Sequence, residues 1–230
     1  EGDATAGIAA RALQVRQVGT HLITVAGGQF IHPVKAVVGG VTSGIVPEAA
    51  EKMRDELVRA LPVACELFDT YWQASLEMGA RLGTWGDDAP ACYISAIGAE
   101  EPRYYGDKIR VLGCQGGDVC AVFPPGAYES HLTVEETEYS YAHRTSYMGN
   151  VIRANSLAGV NIVERLGTPR AEVYLGAFRE AFGQPAHAIL LFDLARGIEL
   201  VYAIERAITI LENRLDDEET AVSYTPRDGE

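Results

Sequence analysis

Four cysteines and five histidines are the side chains here best suited to hold a metal or attack a substrate, and their spacing supports neither role by itself. Cys65, Cys92, Cys114 and Cys120 form no Cys-x-x-Cys pair, and there is no His-x-x-x-His and no His-Glu-x-x-His. A closed metal site needs more donors than two thiols supply. Cys114 and Cys120 flank a candidate hairpin turn and could meet as strand partners. A structural or incidental role is favoured for them, with a disulfide or metal clip as the other reading. Cys65 sits in an apolar helical pattern and reads as a small buried hydrophobe. The run Gly39-Gly40-Val41-Thr42-Ser43-Gly44 has glycines and hydroxyls but lacks the Gly-Lys-Ser/Thr of a phosphate loop. No Gly-x-Ser-x-Gly elbow occurs either.

Of His21, His32, His131, His143 and His187, none has a close histidine neighbour. His32 alone sits in a stiff setting, between Gly27-Gly28 and Gly39-Gly40 and directly before Pro33. Pro33 forbids helix there and pushes His32 towards an extended backbone. Two readings stand: a structural histidine satisfied by backbone, or a fixed donor aimed at a partner or a cluster. Arg196 and Glu199 have the spacing of a helical ion pair in an apolar stretch. They are either buried and paired or, more commonly for such residues, line a wet face.

These residues must be positioned by mostly helical elements. Ile8, Ala12, Val15, Val18, Leu22 and Val25 step by three and four, which predicts a helix from about Asp3 to Ala26 stopped by Gly27-Gly28. Four glycines around the short apolar run that follows suggest a tightly held loop or short strand, with backbone packed close to something. A long helical stretch from about Pro47 to Leu82 carries Pro62, which should kink or split it. Ile109–Leu112 and Val119–Phe123 read as a hairpin, and Cys92–Ile97 as another strand. Helix is expected again after Tyr147: Ser156–Leu166, then Thr168-Pro169 to Phe182, then about Ala186 to Asn213. The last of these is apolar nearly all round in its first half, as for a helix central to a bundle.

The expected fold class is mainly α with a small β-rich insertion (α+β), built on a long-helix bundle. Residues 1–83 form helical core with the Gly/His-Pro loop, 84–147 the β-rich insertion, and 148–230 further helical core, together one domain. Of 230 residues, 47% are apolar and 22% charged, the balance of a folded soluble protein. With 19 Lys plus Arg against 32 Asp plus Glu, the formal net charge is −13. That acid excess argues against nucleic acid and against an anionic membrane surface. No signal peptide is visible, no apolar stretch is long enough to span a bilayer, and the low cysteine count suits a cytoplasmic setting. The chain starts at Glu1 rather than Met and ends without a closing element, so it is expected to be part of a longer subunit.

The string Leu22-Ile23-Thr24-Val25-Ala26-Gly27-Gly28-Gln29-Phe30-Ile31-His32-Pro33-Val34, followed by Gly39-Gly40-Val41, resembles the Gly-Gly-x-x-x-His-Pro … Gly-Gly-Val stretch of the large subunit of nickel–iron hydrogenases. Tyr147-Met148-Gly149-Asn150, Ser156–Asn161, Phe178–Gly183 and Leu194–Glu199 resemble later segments of that family in the same order. The style is closest to cytoplasmic members that pass electrons to a soluble carrier such as NAD or a deazaflavin.

The resemblance implies the central segment of an oxidoreductase subunit that oxidises dihydrogen reversibly to protons and electrons, relayed through an iron–sulfur small subunit in a hetero-oligomer. The family holds its nickel and iron on two Cys-x-x-Cys motifs, and the four cysteines here do not match them. This segment is therefore expected to hold no metal, to contribute no catalytic residue and to be inactive alone. The resemblance places His32 near the closest iron–sulfur cluster of the small subunit, where a fixed N–H could tune that cluster. Gln29 and Gly159 stand where the family commonly has Arg, removing two charged forks. The alternative is a metal-free structural subunit, related to the hydrogenase-like subunit of respiratory quinone-reducing complexes.

Overall fold

The computed structural model describes residues 2–85, 91–98, 106–113, 117–213 and 220–223. Two compact units divide the chain: Glu1–Asp69 with Ala203–Glu230, and Thr70–Tyr202.

The first unit is built on α1 (Gly2–Gly27), the greater part of α2 (Pro47–Glu77) and the end of α6 (Leu191–Asn213). Its core gathers Val15, Ala50, Met53, Leu57, Ala64, Ile204 and Leu211, with Val18, Leu22 and Val25 packed alongside. The expected stripe of α1 is thus engaged only from Val15 onward, and Ile8 remains exposed. Arg11 and His21 of α1 meet Glu66 and Glu56 of α2, each at 2.7 Å. Partners that rise along one helix while falling along the other make α1 and α2 antiparallel. Pro62 does not split α2, which runs through it as one element. The short strands β1 (Ala36–Val37) and β2 (Gly40–Val41) pair antiparallel. Ala221 then pairs with Gly40, while Val41 N–H donates to Thr220 O and Val222 N–H to Gly39 O. Gly39 and Gly40 have φ of +93° and +152°, and a Cβ on either would strike the backbone of residues 220–222. The Gly-Gly pair therefore permits both a left-handed turn and this close approach.

The second unit holds a six-stranded mixed sheet: β3 (Cys92–Ile97), β4 (Lys108–Leu112), β5 (Val119–Phe123), β6 (Leu132–Thr137), β7 (Ser140–Tyr147) and β8 (Asn150–Arg153). Their order across the sheet is β5-β4-β3-β8-β7-β6, and β3 with β8 is the parallel pair. The expected 109–112/119–123 hairpin is present as β4 and β5. The sheet runs on past Tyr147, because a left-handed turn at Met148-Gly149 (φ +49° and +77°) sends β8 back along β7. Cys92 and Ile94 face one side, where Val111, Phe123 and Tyr147 complete an apolar cluster. Tyr93 faces the other side, as period-two alternation requires.

Helices α3 (Ala80–Thr84), α4 (Ser156–Ile162) and α5 (Pro169–Phe182) belong to the same unit. The last turn expected of α4 is absent, and α6 starts at Leu191 rather than Ala186. Both departures trace to side chains that take up the backbone groups a longer helix would use. The fold is α+β.

Candidate functional site

The Gly-Gly-x-x-x-His-Pro stretch forms one closed loop at the C-terminal end of α1. Gly28, with φ +90°, ends the helix and donates to Thr24 O at 2.9 Å. The chain then turns back: Val34 and Lys35 N–H both donate to Gly27 O, at 2.9 and 3.2 Å. Pro33 lies so close over Gly27 that a Cβ there would stand 2.7 Å from the proline ring. That contact explains why the motif needs glycine at 27 and proline six residues on. Lys35 Nζ donates to Val25 O at 3.1 Å, setting a cation at the negative end of α1.

His32 sits at the apex of this loop, exposed, with φ +56°. The extended backbone expected ahead of Pro33 is not what forms. The loop must close within a few residues, and the left-handed conformation at His32 supplies the reversal. Gln29 Nε2 donates to His32 O at 2.6 Å and so ties the apex to the helix end. Gln29 thus does local structural work where the resembling family carries Arg. Among the described residues the His32 imidazole makes no hydrogen bond. Beside it in the chain stand exposed apolar side chains, Ile31 at 65% and Val34 at 60%. An imidazole held outward amid apolar side chains can donate or accept one hydrogen bond to a group brought by a partner.

A second constellation, in the other unit, was not legible in the sequence. Asn161, buried on α4, donates through Nδ2 to Ala186 O and accepts Ala186 N–H, each at 2.9 Å. Gln184 Nε2 donates to Asn161 O at 3.0 Å. Tyr93 donates its hydroxyl to the same Ala186 O at 2.9 Å and stands 3.0 Å from His187 Nδ1. Tyr93 has one hydroxyl hydrogen, so with that given to Ala186 the His187 Nδ1 carries the proton of the second bond. The Tyr93 and His187 rings stack at 5.5 Å, and Arg153 donates to His187 O at 2.8 Å. This network holds the 184–188 segment in a non-helical form and leaves its buried polar groups paired. It is a positioning device rather than a reaction centre.

The remaining motif segments pack. Phe178 is fully buried and its ring lies 5.3 Å from that of Phe182. Arg179 donates to the carbonyls of Val160, Val163 and Glu164, so one guanidinium serves the end of α4. Burial pulls the Arg179 pKa below its ordinary value. Gly159, the other departure from the family pattern, is buried within α4. Arg196 is exposed with its guanidinium 5.5 Å from the Phe192 ring centre, whereas Glu199 is buried. Cys65 and Cys92 are buried, Cys120 is exposed and none of the three forms a disulfide among the described residues, while Cys114 lies outside them. Among the described residues no three His, Cys, Asp or Glu side chains gather into a donor set. No helix of the described residues is long and apolar enough to cross a membrane.

No protein-family model matches the chain. It is 28% identical over 227 residues to a subunit of the F420-non-reducing vhu hydrogenase of Methanococcus voltae, covering 92% of this chain and 51% of that protein. It is 27% identical over 231 residues to the corresponding vhu hydrogenase subunit of Methanocaldococcus jannaschii, covering 96% of this chain and 54% of that one. With the alpha subunit of sulfhydrogenase 1 of Pyrococcus furiosus it shares 30% identity over 212 residues, 89% of this chain and 44% of that one. Among solved structures, an NAD+-reducing [NiFe]-hydrogenase in the H2-reduced state superposes with a TM-score of 0.76 at 21% identity, over 97% of this chain and 51% of that chain. The Ni-Fe-Se hydrogenase of Desulfomicrobium baculatum does so at 0.70 and 15%, over 94% and 50%. The chain spans about half the length of the curated relatives it matches.

Proposed function

From the homology of this chain to the nickel–iron hydrogenase large subunit over about half of that subunit's length, we propose that it is the central segment of such a subunit. The reaction of the complete subunit is then reversible oxidation of dihydrogen to protons and electrons, passed to an iron–sulfur small subunit in the cytoplasm. The observation that carries this reading is the alignment with named hydrogenase subunits along more than nine-tenths of the chain. The helices would join a long-helix bundle completed by the rest of the subunit. Residues 1–83, 84–147 and 148–230 would serve as core, β-rich insertion and core within one domain. The thiolates that hold nickel and iron would come from outside this segment, since soft sulfur donors suit those metals and this sequence has no Cys-x-x-Cys pair. The relatives all being named hydrogenases favours this over a metal-free structural subunit.

In this reading the segment gives the scaffold and a contact surface, and His32 is its one positioning residue. The exposed imidazole, held at the apex of a braced loop beside exposed apolar side chains, would face the small subunit near its closest iron–sulfur cluster. A donor there would stabilise the cluster's reduced, more negative form.

The test is the complete subunit co-purified with its small subunit. Stoichiometric nickel and dihydrogen-dependent reduction of a viologen dye are expected. An assembled complex with neither would overturn the enzyme reading in favour of the structural one. His32→Ala in that complex should shift the potential of the nearest cluster or weaken assembly, and an unchanged complex would remove the role given to His32.

A further inference from the structure

The β6–β7 hairpin carries a core row of side chains out beyond the core. Residues two apart on a strand share a face, so Tyr147, Thr145, His143 and Tyr141 form one row. Along it Tyr147 is buried, Thr145 half-buried and His143 exposed, while Tyr141 is wholly exposed. Tyr139, in the turn, is 90% exposed. The tip is nonetheless braced. Thr137 Oγ1 reaches the Ser140 and Ala142 carbonyls at 2.9 and 2.8 Å, and Ser140 Oγ accepts from Ala142 N–H at 3.0 Å. The two tyrosines are therefore presented by a stiff turn, which lowers the ordering cost of binding.

Glu136, Glu138, Tyr139, Tyr141 and His143 line a hollow of about 550 Å³ at this tip. Aromatic faces beside carboxylates make a surface for an ammonium or guanidinium, which gains from the ring quadrupole and from the charge. Among the described strands β6 is the last of the sheet, so no strand already pairs on its outer side where an extended segment would add. The net charge of −13 opposes a second copy of this chain, which would bring acid against acid.

We propose that the β6–β7 tip is a docking arm for a Lys/Arg-bearing extended segment of a partner protein, whose cationic side chain enters the hollow beside Tyr139, Tyr141, Glu136 and Glu138. This rests on the hairpin alone and does not depend on the hydrogenase reading.

The test titrates the full chain into a dye-labelled octapeptide of alternating Arg and Thr, followed by fluorescence anisotropy at low and high salt. Tyr139→Ala/Tyr141→Ala should weaken binding about tenfold. Glu136→Gln/Glu138→Gln should weaken it about fivefold and flatten its salt dependence. Glu51→Gln/Glu180→Gln, which removes equal charge from exposed helical positions elsewhere, should change it by less than about twofold. Unaltered circular dichroism confirms that the variants are folded. The proposal is overturned if the chain does not bind the peptide, or if the control pair loses as much as the tip pairs, since the peptide would then answer to net charge alone. It is overturned equally if the chain self-associates and the tyrosine pair abolishes that, because the occupant would be a second copy.

Discussion

The Gly27–Val41 loop and the Tyr93–Asn161–His187 network are both polar constructions at the ends of helices, yet they are assembled on different scales. The loop's side-chain bonds join residues 3 and 10 apart in sequence. The network's bonds join residues 23, 25, 34, 93 and 94 apart. The loop is exposed and its apex, Gly27 to Lys35, is braced within its own length, so a change there is absorbed locally, while Gly39 to Val41 lean on residues 220–222. The network's centre at Tyr93, Asn161 and Ala186 is buried, and removing Asn161 leaves another polar group dry. Contact with a partner can be tuned on the first without cost to the second.

Substitutions graded by size test that contrast. Asn161→Leu should have the largest effect, because Ala186 N–H loses its acceptor and its carbonyl keeps Tyr93 alone. A loss of about 3 kcal/mol in urea-unfolding free energy is expected. A loss below about 1 kcal/mol would mean the amide does not hold the segment. Tyr93→Phe should cost about 1 kcal/mol in the same measurement, since Ala186 O retains the Asn161 amide. A Tyr93→Phe loss equal to that of Asn161→Leu would show that the hydroxyl, not the amide, is the anchor. Gly27→Ala should be smallest, under about 1 kcal/mol globally, while amide exchange at Val34 and Lys35 quickens as Pro33 is pushed away. A global loss exceeding that of Asn161→Leu would break the contrast.

The same division explains which expectations matched the structure. α5 begins at Pro169 and ends before Gly183, as a proline in the first turn and a terminating glycine require. The β4–β5 hairpin also follows from local turn residues between β-branched runs. The glycine cluster at 27–40 signalled close backbone approach, and two of its members meet residues 220–222. The failures are non-local. β8 pairs in parallel with β3 across some sixty residues, and no sequence period marks such a partner. Ala186 to Leu190 follow a helical apolar pattern but are held out of the helix, because Asn161 and Tyr93 both donate to the Ala186 carbonyl that the first turn of that helix would use. At His32 the preference of a residue before proline yields to loop closure.

Taken alone, the sequence determined the helical stripes, the stops at Gly28 and Gly183, the acidic charge that narrows the partners, and the motif strings that align with hydrogenase subunits. Each is set by residues within a turn or two of one another, or by composition. The tertiary structure decided that His32 points outward on a braced loop, and that Tyr93, Arg153, Asn161 and His187 meet around one segment. It also decided that the β6–β7 row outruns its core. Those outcomes depend on which distant backbone groups lose water together, and burial of that kind is shared among elements rather than written in any one of them.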